Sequence, residues 1–189
     1  SDVYKRQVQV NPPGKAADKI DQQLYFTPQS EKTHALIRHL GQHPGELSLV
    51  FARTKYGAEK LMKTLVKAGF SAESVHGNKS QGQRERAIKA FRAGDATVLV
   101  ATDVAARGLD IPGVRFVYNY ELPNTPDNYV HRIGRTARAG RDGTAVTFCG
   151  DHEMGLLKDI QKTMKKDIPV AGGDPWEAVS ALSLIHISE

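Results

Sequence analysis

Apolar positions along the chain fall into short, nearly continuous runs. Between the runs lie longer stretches in which they recur every three or four residues. The runs KIDQQLYF (19–26), ELSLVFA (46–52), SAESVH (71–76), ATVLVA (96–101), VRFVYNY (114–120) and GTAVTFC (143–149) have the length of strands. ATVLVA has almost no polar interruption, as expected of a strand buried on both faces. The intervening stretches read as helices. In SEKTHALIRHL, Leu36, Ile37 and Leu40 share one side. Thr54 is placed to cap a helix through about Ala68, with Leu61, Leu65 and Ala68 as its stripe and Gly69 as its stop. Ser80 followed by Gln83 fits a capping box, opening a helix that Ile88 and Phe91 anchor and Gly94 ends. Thr125 then Pro126 is a cap followed by a proline at the first helical position, and that helix runs through Tyr129 and Val130 towards Arg132. Asp151 is expected to cap a last helix, with Met154, Leu157, Ile160 and Met164 inward.

Strands alternating with helices imply right-handed crossovers and an α/β domain of three layers, a mainly parallel central sheet with helices on both faces. Ligands of such sheets gather at the carboxyl ends of the strands. That rule puts Phe51–Thr54, His76–Ser80, Thr102–Asp110 and the loop near Asn119–Asn124 along one rim. The patterned region is 20–169. Residues 1–19 read as an N-terminal extension and 170–189 as a linker or tail. SDVYKRQ at the start and SLIHISE at the end resemble translated sequencing-adapter sequence, so they are left out of the fold and the chain is expected to be a piece of something longer.

Composition adds three constraints. A length of 189 residues suffices for one domain with a real core. The net charge of +5 mildly favours an anionic partner, with a solvated basic surface as the alternative. The single cysteine, Cys149, lies inside TAVTFC, where it reads as a buried strand thiol. It allows no internal disulfide, which fits a reducing, cytoplasmic setting. No apolar run approaches the ~20 residues needed to span a bilayer, so no membrane partner is expected.

Candidate chemistry concentrates in four motifs. HRIGRTARAG (131–140) holds three arginines at a spacing of three. Arg132 and Arg135 would be neighbours on a helix and repel by roughly 0.2–0.5 kcal/mol. Arg135 and Arg138 carry planar, permanently charged groups suited to gripping phosphate oxygens. The alternative is a solvated basic helix end paired to local carboxylates, but no Asp or Glu lies between Asn128 and Arg141. ATDVAARGLD (101–110) follows a buried strand, and Thr102 and Asp103 could cap a short turn that presents backbone N–H groups to an anion. Asp110 could accept from a sugar hydroxyl; a plain strand-to-helix turn is the competing account. HGNKSQGQRER (76–86) places glycine, Lys79, Arg84 and Arg86 around a helix start, a plausible phosphate site or an exposed charged helix. VFARTKYGAEKL puts Arg53, Thr54 and Lys55 at a strand end, a weak signal alone.

LVFARTK, HGNKSQGQRERAI, ATDVAARGLDI and YVHRIGRTARAG resemble, in order and spacing, motif IV, the QxxR element, motif V and motif VI of DEAD-box RNA helicases. HGNKSQGQR and NYELPNTPDNYVHRIGRTARAG look closest to the bacterial RhlE-like branch. The resemblance covers 20–169 and implies the second RecA-like domain of an ATP-dependent RNA helicase. The family's first domain holds the phosphate loop, the Asp-Glu-Ala-Asp motif and the magnesium ion; neither motif occurs here, so the chain would supply half of an ATP site and no metal ligand. Carried over residue by residue, Arg135 and Arg138 match the arginine fingers that reach the γ-phosphate, and His131 the link to the other domain. Asp110 matches the ribose contact and Gly108 the motif V glycine. Thr102 and Arg86 match RNA-backbone contacts, with Arg53 and Gly77 weaker candidates for the same track. The implied cofactor is ATP with Mg2+, and the implied partners are RNA and the first domain of the parent. Two further readings stay open at this stage: a non-catalytic RNA-binding module, and a DNA-directed superfamily 2 helicase domain. The family often has glycine where Ala137 stands. Since alanine disfavours positive φ, residue 137 is expected in ordinary helical or bridge geometry.

Overall fold

The structure, a computed structural model, describes residues 19–174. The terminal segments SDVYKRQ and SLIHISE lie outside the described residues. The elements follow the expected alternation. They are β1 (Asp21–Phe26), α1 (Lys32–Gly41), β2 (Ser48–Phe51), α2 (Lys55–Lys67), β3 (Ala72–Val75), α3 (Gln81–Ala93) and β4 (Val98–Ala101). Then come α4 (Asp103–Arg107), β5 (Phe116–Asn119), α5 (Pro126–Ile133), β6 (Thr144–Cys149), α6 (Met154–Met164) and β7 (Val170–Gly172). The seven strands form one sheet in the order β3-β4-β2-β5-β6-β1-β7. Every pairing is parallel.

Two differences from the sequence reading concern boundaries. Val170–Gly172, read as the start of a tail, pairs with β1 and forms the sheet's edge. The strand is only three residues long and runs into Gly173, so it does not stand out as an apolar run. Asp151 does not cap α6. It opens a 3-10 turn, Asp151–Glu153, and Glu153 precedes the helix. The turn forms because the Glu153 carboxylate folds back to accept from the Gly150 N–H at 3.0 Å.

Helices cover both faces. α1 and α2 bury Leu36, Leu40, Leu61 and Leu65 against Val50, Val100, Tyr118 and Val146. On the opposite face α3 buries Ile88 and Phe91 against Leu49, Phe51, Leu99 and Val117. α5 and α6 bury Tyr129, Ile133, Leu157 and Ile160 beside Leu24 and Ala145. Each Val or Leu so buried contributes roughly 1.5–3 kcal/mol relative to exposure. The helix starts obey their caps. Thr54 Oγ1 accepts from the Gly57 N–H at 3.0 Å, Ser80 and Gln83 form the reciprocal box, and Gly94 closes α3 at φ +82°. Cys149 is fully buried in β6, and burial, with Glu153 nearby, pushes its thiol up to about 12. Among the described residues no helix is long and apolar enough to cross a membrane.

Candidate nucleotide and nucleic-acid site

α5 delivers the arginine motif. Thr125 Oγ1 accepts from the Asn128 N–H at 3.1 Å, and Pro126 supplies the fixed φ of the first turn. The helix ends at Ile133, so Arg132 and Arg135 do not share a helical face as the spacing suggested. Past Gly134 the chain runs beside the amino end of β5. The Val114 N–H donates to the Arg135 carbonyl at 3.0 Å, and Thr136 Oγ1 donates to the Val114 carbonyl at 2.5 Å.

From this anchored segment Arg135 donates through Nη2 to the Ala106 carbonyl at 3.1 Å. Arg138 donates through Nη1 to the Ile111 carbonyl and through Nε to the Gly134 carbonyl, both at 3.3 Å. The Arg138 stem lies over Gly113, where a side chain would meet it at 3.4 Å. Among the described residues neither guanidinium has a carboxylate within ion-pair distance. Arg135 is half-buried; burial and the nearby Arg138 charge both lower its pKa, and Asp110 opposes them. Two cations are therefore held against the end of α4 and the segment that follows it, hydrogen-bonded to neutral carbonyls.

The turn between Arg135 and Arg138 corrects one expectation. Ala137 sits at φ +56°, ψ +34°, in the left-handed region and not in helical or bridge geometry. The turn is packed directly on the Gly143 backbone, where an added side chain would come within 2.4 Å of the Ala137 nitrogen and 2.8 Å of its Cβ. The loop closes tightly on Gly143, and residue 137 takes the conformation that allows it.

The remaining candidates on this side are open. Asp110 is almost fully exposed, with its carboxylate 3.5 Å from Arg92. His131 is exposed and lies 3.3 Å from Asp127, one turn back on α5. Gly108 follows α4 at φ −85°, and a Cβ there would meet nothing closer than 4.0 Å, so the local backbone does not itself require glycine.

Of the expected RNA-side residues, Gly77, Thr102 and Arg53 lie at the carboxyl ends of the neighbouring strands β3, β4 and β2, and Arg86 lies on α3. Thr102 follows β4 and is buried; it occupies the N-cap of α4, but its side chain makes no capping bond there. Gly77 is exposed in the loop after β3. That loop is held by His76, whose Nδ1 accepts from the Asn78 N–H at 3.2 Å, leaving Nε2–H to donate to Glu59 at 2.9 Å. Burial opposes ionisation of Glu59. Bonds from His76 and Ser74 and the Lys79 charge outweigh it and lower the carboxyl to about 2. Arg86 is exposed on α3. Arg53 differs from expectation. Its guanidinium turns inward, donating to the Leu122 carbonyl at 2.9 Å and lying 3.3 Å from Glu153. Glu153 is fully buried, pairs with Lys32, and accepts from the Leu122 N–H at 2.8 Å. Arg53 is thus spent on an internal carboxylate.

Arg132 is the residue that sequence reasoning missed. It is 1% exposed, among the largest buried side chains. Nε and Nη2 donate to the two oxygens of Asp103 at 2.7 and 2.8 Å. Nη1 reaches Asn119 Oδ1 at 3.2 Å and the Glu121 carbonyl at 2.6 Å, and the guanidinium stands 4.9 Å from the Phe51 ring. The signal was present: Tyr129, Arg132 and Ile133 share the apolar stripe of α5, and an arginine there is a buried arginine. Asp103 is thereby an ion-pair partner as well as a first-turn acid.

A parallel sheet with helices on both faces, a cluster of polar loops at the ends of β3, β4 and β2, and two uncompensated arginines after α5 define a RecA-like helicase domain. The model of the helicase conserved C-terminal domain matches residues 31–140, and the chain belongs to that family. Its homologues are DEAD-box ATP-dependent RNA helicases. It is 44% identical over 162 residues to ATP-dependent RNA helicase CshA of Listeria monocytogenes, covering 86% of this chain and 31% of that protein. The chain therefore spans under a third of that relative. Among solved structures, the Escherichia coli DEAD-box protein SrmB, bound to the regulator of ribonuclease activity A, superposes with TM-score 0.75. The two are 39% identical, over 80% of this chain and 89% of that one. Saccharomyces cerevisiae Dbp5 bound to RNA and ADP BeF3 gives TM-score 0.76 at 30% identity, over 95% of this chain and 50% of that one.

Proposed function

We propose that this domain supplies the arginine half of the ATP site, and part of the RNA-backbone track, in a parent DEAD-box RNA helicase that works in the cytoplasm. The observation that carries the reading is the state of Arg135 and Arg138: two guanidiniums fixed close together, with no carboxylate on either. Holding unneutralised like charges side by side is unfavourable unless an anion arrives to share them. Asp110, exposed beside them, suits a ribose hydroxyl. ATP supplies the phosphoryl chemistry, with Mg2+ held by the parent's first RecA-like domain. Arg135 and Arg138 add charge stabilisation, an effect of roughly 10³–10⁵ in rate, or about 4–7 kcal/mol, for residues in this role. His131, exposed on α5, is the proposed contact with the first domain.

RNA is assigned to the rim formed by Thr102 and Gly77, at the ends of adjacent strands, and by Arg86 on α3. Such contacts read backbone, so little sequence preference is expected. Arg53 stays in the track as a brace for the β2 end, its charge already met by Glu153. Assignment to the RhlE-like branch rests on HGNKSQGQR and the motif VI stretch alone. The isolated chain is expected to be inactive as an ATPase. In the full-length parent, Arg135→Ala or Arg138→Ala is expected to cut RNA-stimulated ATP turnover by at least about a hundredfold with little loss of ATP affinity. Wild-type turnover in both variants overturns the assignment.

A further inference from the structure

The outward face of α2 is unexplained by the sites above. Tyr56, Lys60, Lys63 and Lys67 lie along it at intervals of four, three and four residues. At ~100° per residue they fall within about 60° of one another, opposite the buried Ala58, Leu61 and Leu65. Tyr56 is 71% exposed, and the Lys63 side chain is equally open. Lys60 and Lys67 are exposed and have no carboxylate within 4 Å among the described residues. Glu59, the acid that flanks the stripe, is engaged by Ser74, His76 and Lys79. Its second oxygen is 3.8 Å from Lys63, a long contact for an exposed pair.

The stripe begins where the proposed RNA rim ends. Tyr56 is in the first turn of α2, after the carboxyl end of β2. Lys55 joins the two regions: its Cδ lies 3.9 Å from where a Gly77 side chain would begin, and its Nζ stands 5.3 Å from the Tyr56 ring. Three lysines form a track for a polyanion, and an exposed aromatic at its head offers a face on which a base can stack. An exposed tyrosine adds nothing to the core of α2, which Ala58, Leu61 and Leu65 already fill.

We infer that α2 extends the RNA path: one base of single-stranded RNA stacks on Tyr56 as the strand leaves the rim, and its following phosphates pass Lys60, Lys63 and Lys67. The stripe is ~16 Å long, enough for several nucleotides. This rests on the RNA reading above, and the test separates the two. Binding of the 189-residue chain to fluorescein-labelled single-stranded RNA is followed by anisotropy over a salt series, with a short oligonucleotide that fills only the rim and a longer one. Tyr56→Ala is expected to weaken the longer RNA about five- to hundredfold, and Tyr56→Phe to leave it unchanged. Lys60→Gln, Lys63→Gln and Lys67→Gln together are expected to lower the salt slope for the longer RNA by roughly 2. Neither change should move binding of the short one. Loss on Arg86→Ala with no effect of the α2 variants overturns the extension and leaves the RNA reading standing. Absence of RNA binding by the wild-type chain overturns both. Equal loss of polyglutamate and RNA by the lysine variant, with Tyr56→Ala silent, marks a general anion-binding stripe and overturns the path.

Discussion

Arg132→Ala is the sharpest test of how the domain holds its site residues. The substitution removes two charge-assisted bonds to Asp103 at 2.7 and 2.8 Å, two to Asn119 and the Glu121 carbonyl, and a guanidinium–ring contact with Phe51. It also leaves Asp103 without its cation, and the Asp103 side chain is only 21% exposed. Breaking one partner out of a buried pair costs roughly 3–5 kcal/mol, and the partial exposure of Asp103 places this case near 3. A domain of this size is stable by about 5–15 kcal/mol, so the variant should fold but with a markedly reduced margin. At roughly 2–4 °C per kcal/mol, the melting temperature should fall by about 6–12 °C. Arg132→Lys keeps a charge but cannot make the forked contact, so it should lose about half as much. Urea unfolding of wild type, Arg132→Ala, Asp103→Asn and the double variant measures the pair directly. Coupling of about 2 kcal/mol is expected. A loss below about 1 kcal/mol, or additivity in the double variant, would refute the claim that this pair ties α5 to α4.

Three further outcomes follow from named contacts. Ala137→Gly should stabilise the chain by about 0.5–1 kcal/mol in urea, because relief of left-handed strain at φ +56° exceeds the extra unfolded-state entropy of glycine; a destabilised variant would contradict that. Glu59 is lowered from 4.5 to about 2, so its contribution is present above pH 4.5 and is lost as pH falls towards 2. The stability difference between wild type and Glu59→Gln should therefore shrink across that window, and a constant difference would count against the His76, Ser74 and Lys79 contacts. Cys149, fully buried with its thiol pushed up to about 12, should resist a thiol reagent at pH 8 in the folded chain and react in urea; rapid native labelling would place it elsewhere.

The layered fold was legible because strand and helix periods alternate cleanly and the caps are local. Thr54, Ser80–Gln83, Gly94 and Thr125–Pro126 each act within four residues of their partners, and each behaves as read. What escaped was long-range pairing. Nothing near Arg132 in the chain announces Asp103, 29 residues upstream, nor does Lys32 announce Glu153, 121 residues on. Arg53, read as a strand-end residue and a weaker candidate for the RNA track, has its acid arrive from the turn after β6. Ala137 failed through a different cause. The intrinsic preference of alanine is worth only about 1–2 kcal/mol, and the contact with Gly143 overrode it. The short strand Val170–Gly172 carries no apolar pattern, since an edge strand of three residues buries little.

Thr102 of the proposed rim and the Ala106 carbonyl that receives Arg135 lie towards opposite ends of α4, and this bears on how the two halves of the proposed site would communicate. The rim residues follow β2, β3 and β4 at their carboxyl ends. Arg135 and Arg138 follow α5 at the amino end of β5, where Val114 and Thr136 pair. Between them run α4 and the segment to Val114, whose carbonyls at Ala106 and Ile111 receive the two arginines. Arg132 locks the start of α4 to the last turn of α5. Thr102, at the N-cap of α4, and the arginine pair are therefore joined through one short helix that is bonded at both ends. On the proposed reading, an anion that draws Arg135 and Arg138 would carry the rim with them through these bonds. The coupling of nucleotide to RNA would then arise from placement of a rigid body against the first domain, and it must be reciprocal. Loosening the joint should uncouple the two ligands before it abolishes either. In the full-length parent, Asp103→Asn is expected to preserve measurable binding of ATP and of RNA while reducing the factor by which each strengthens the other; an unchanged coupling factor would show that the connection runs by another route.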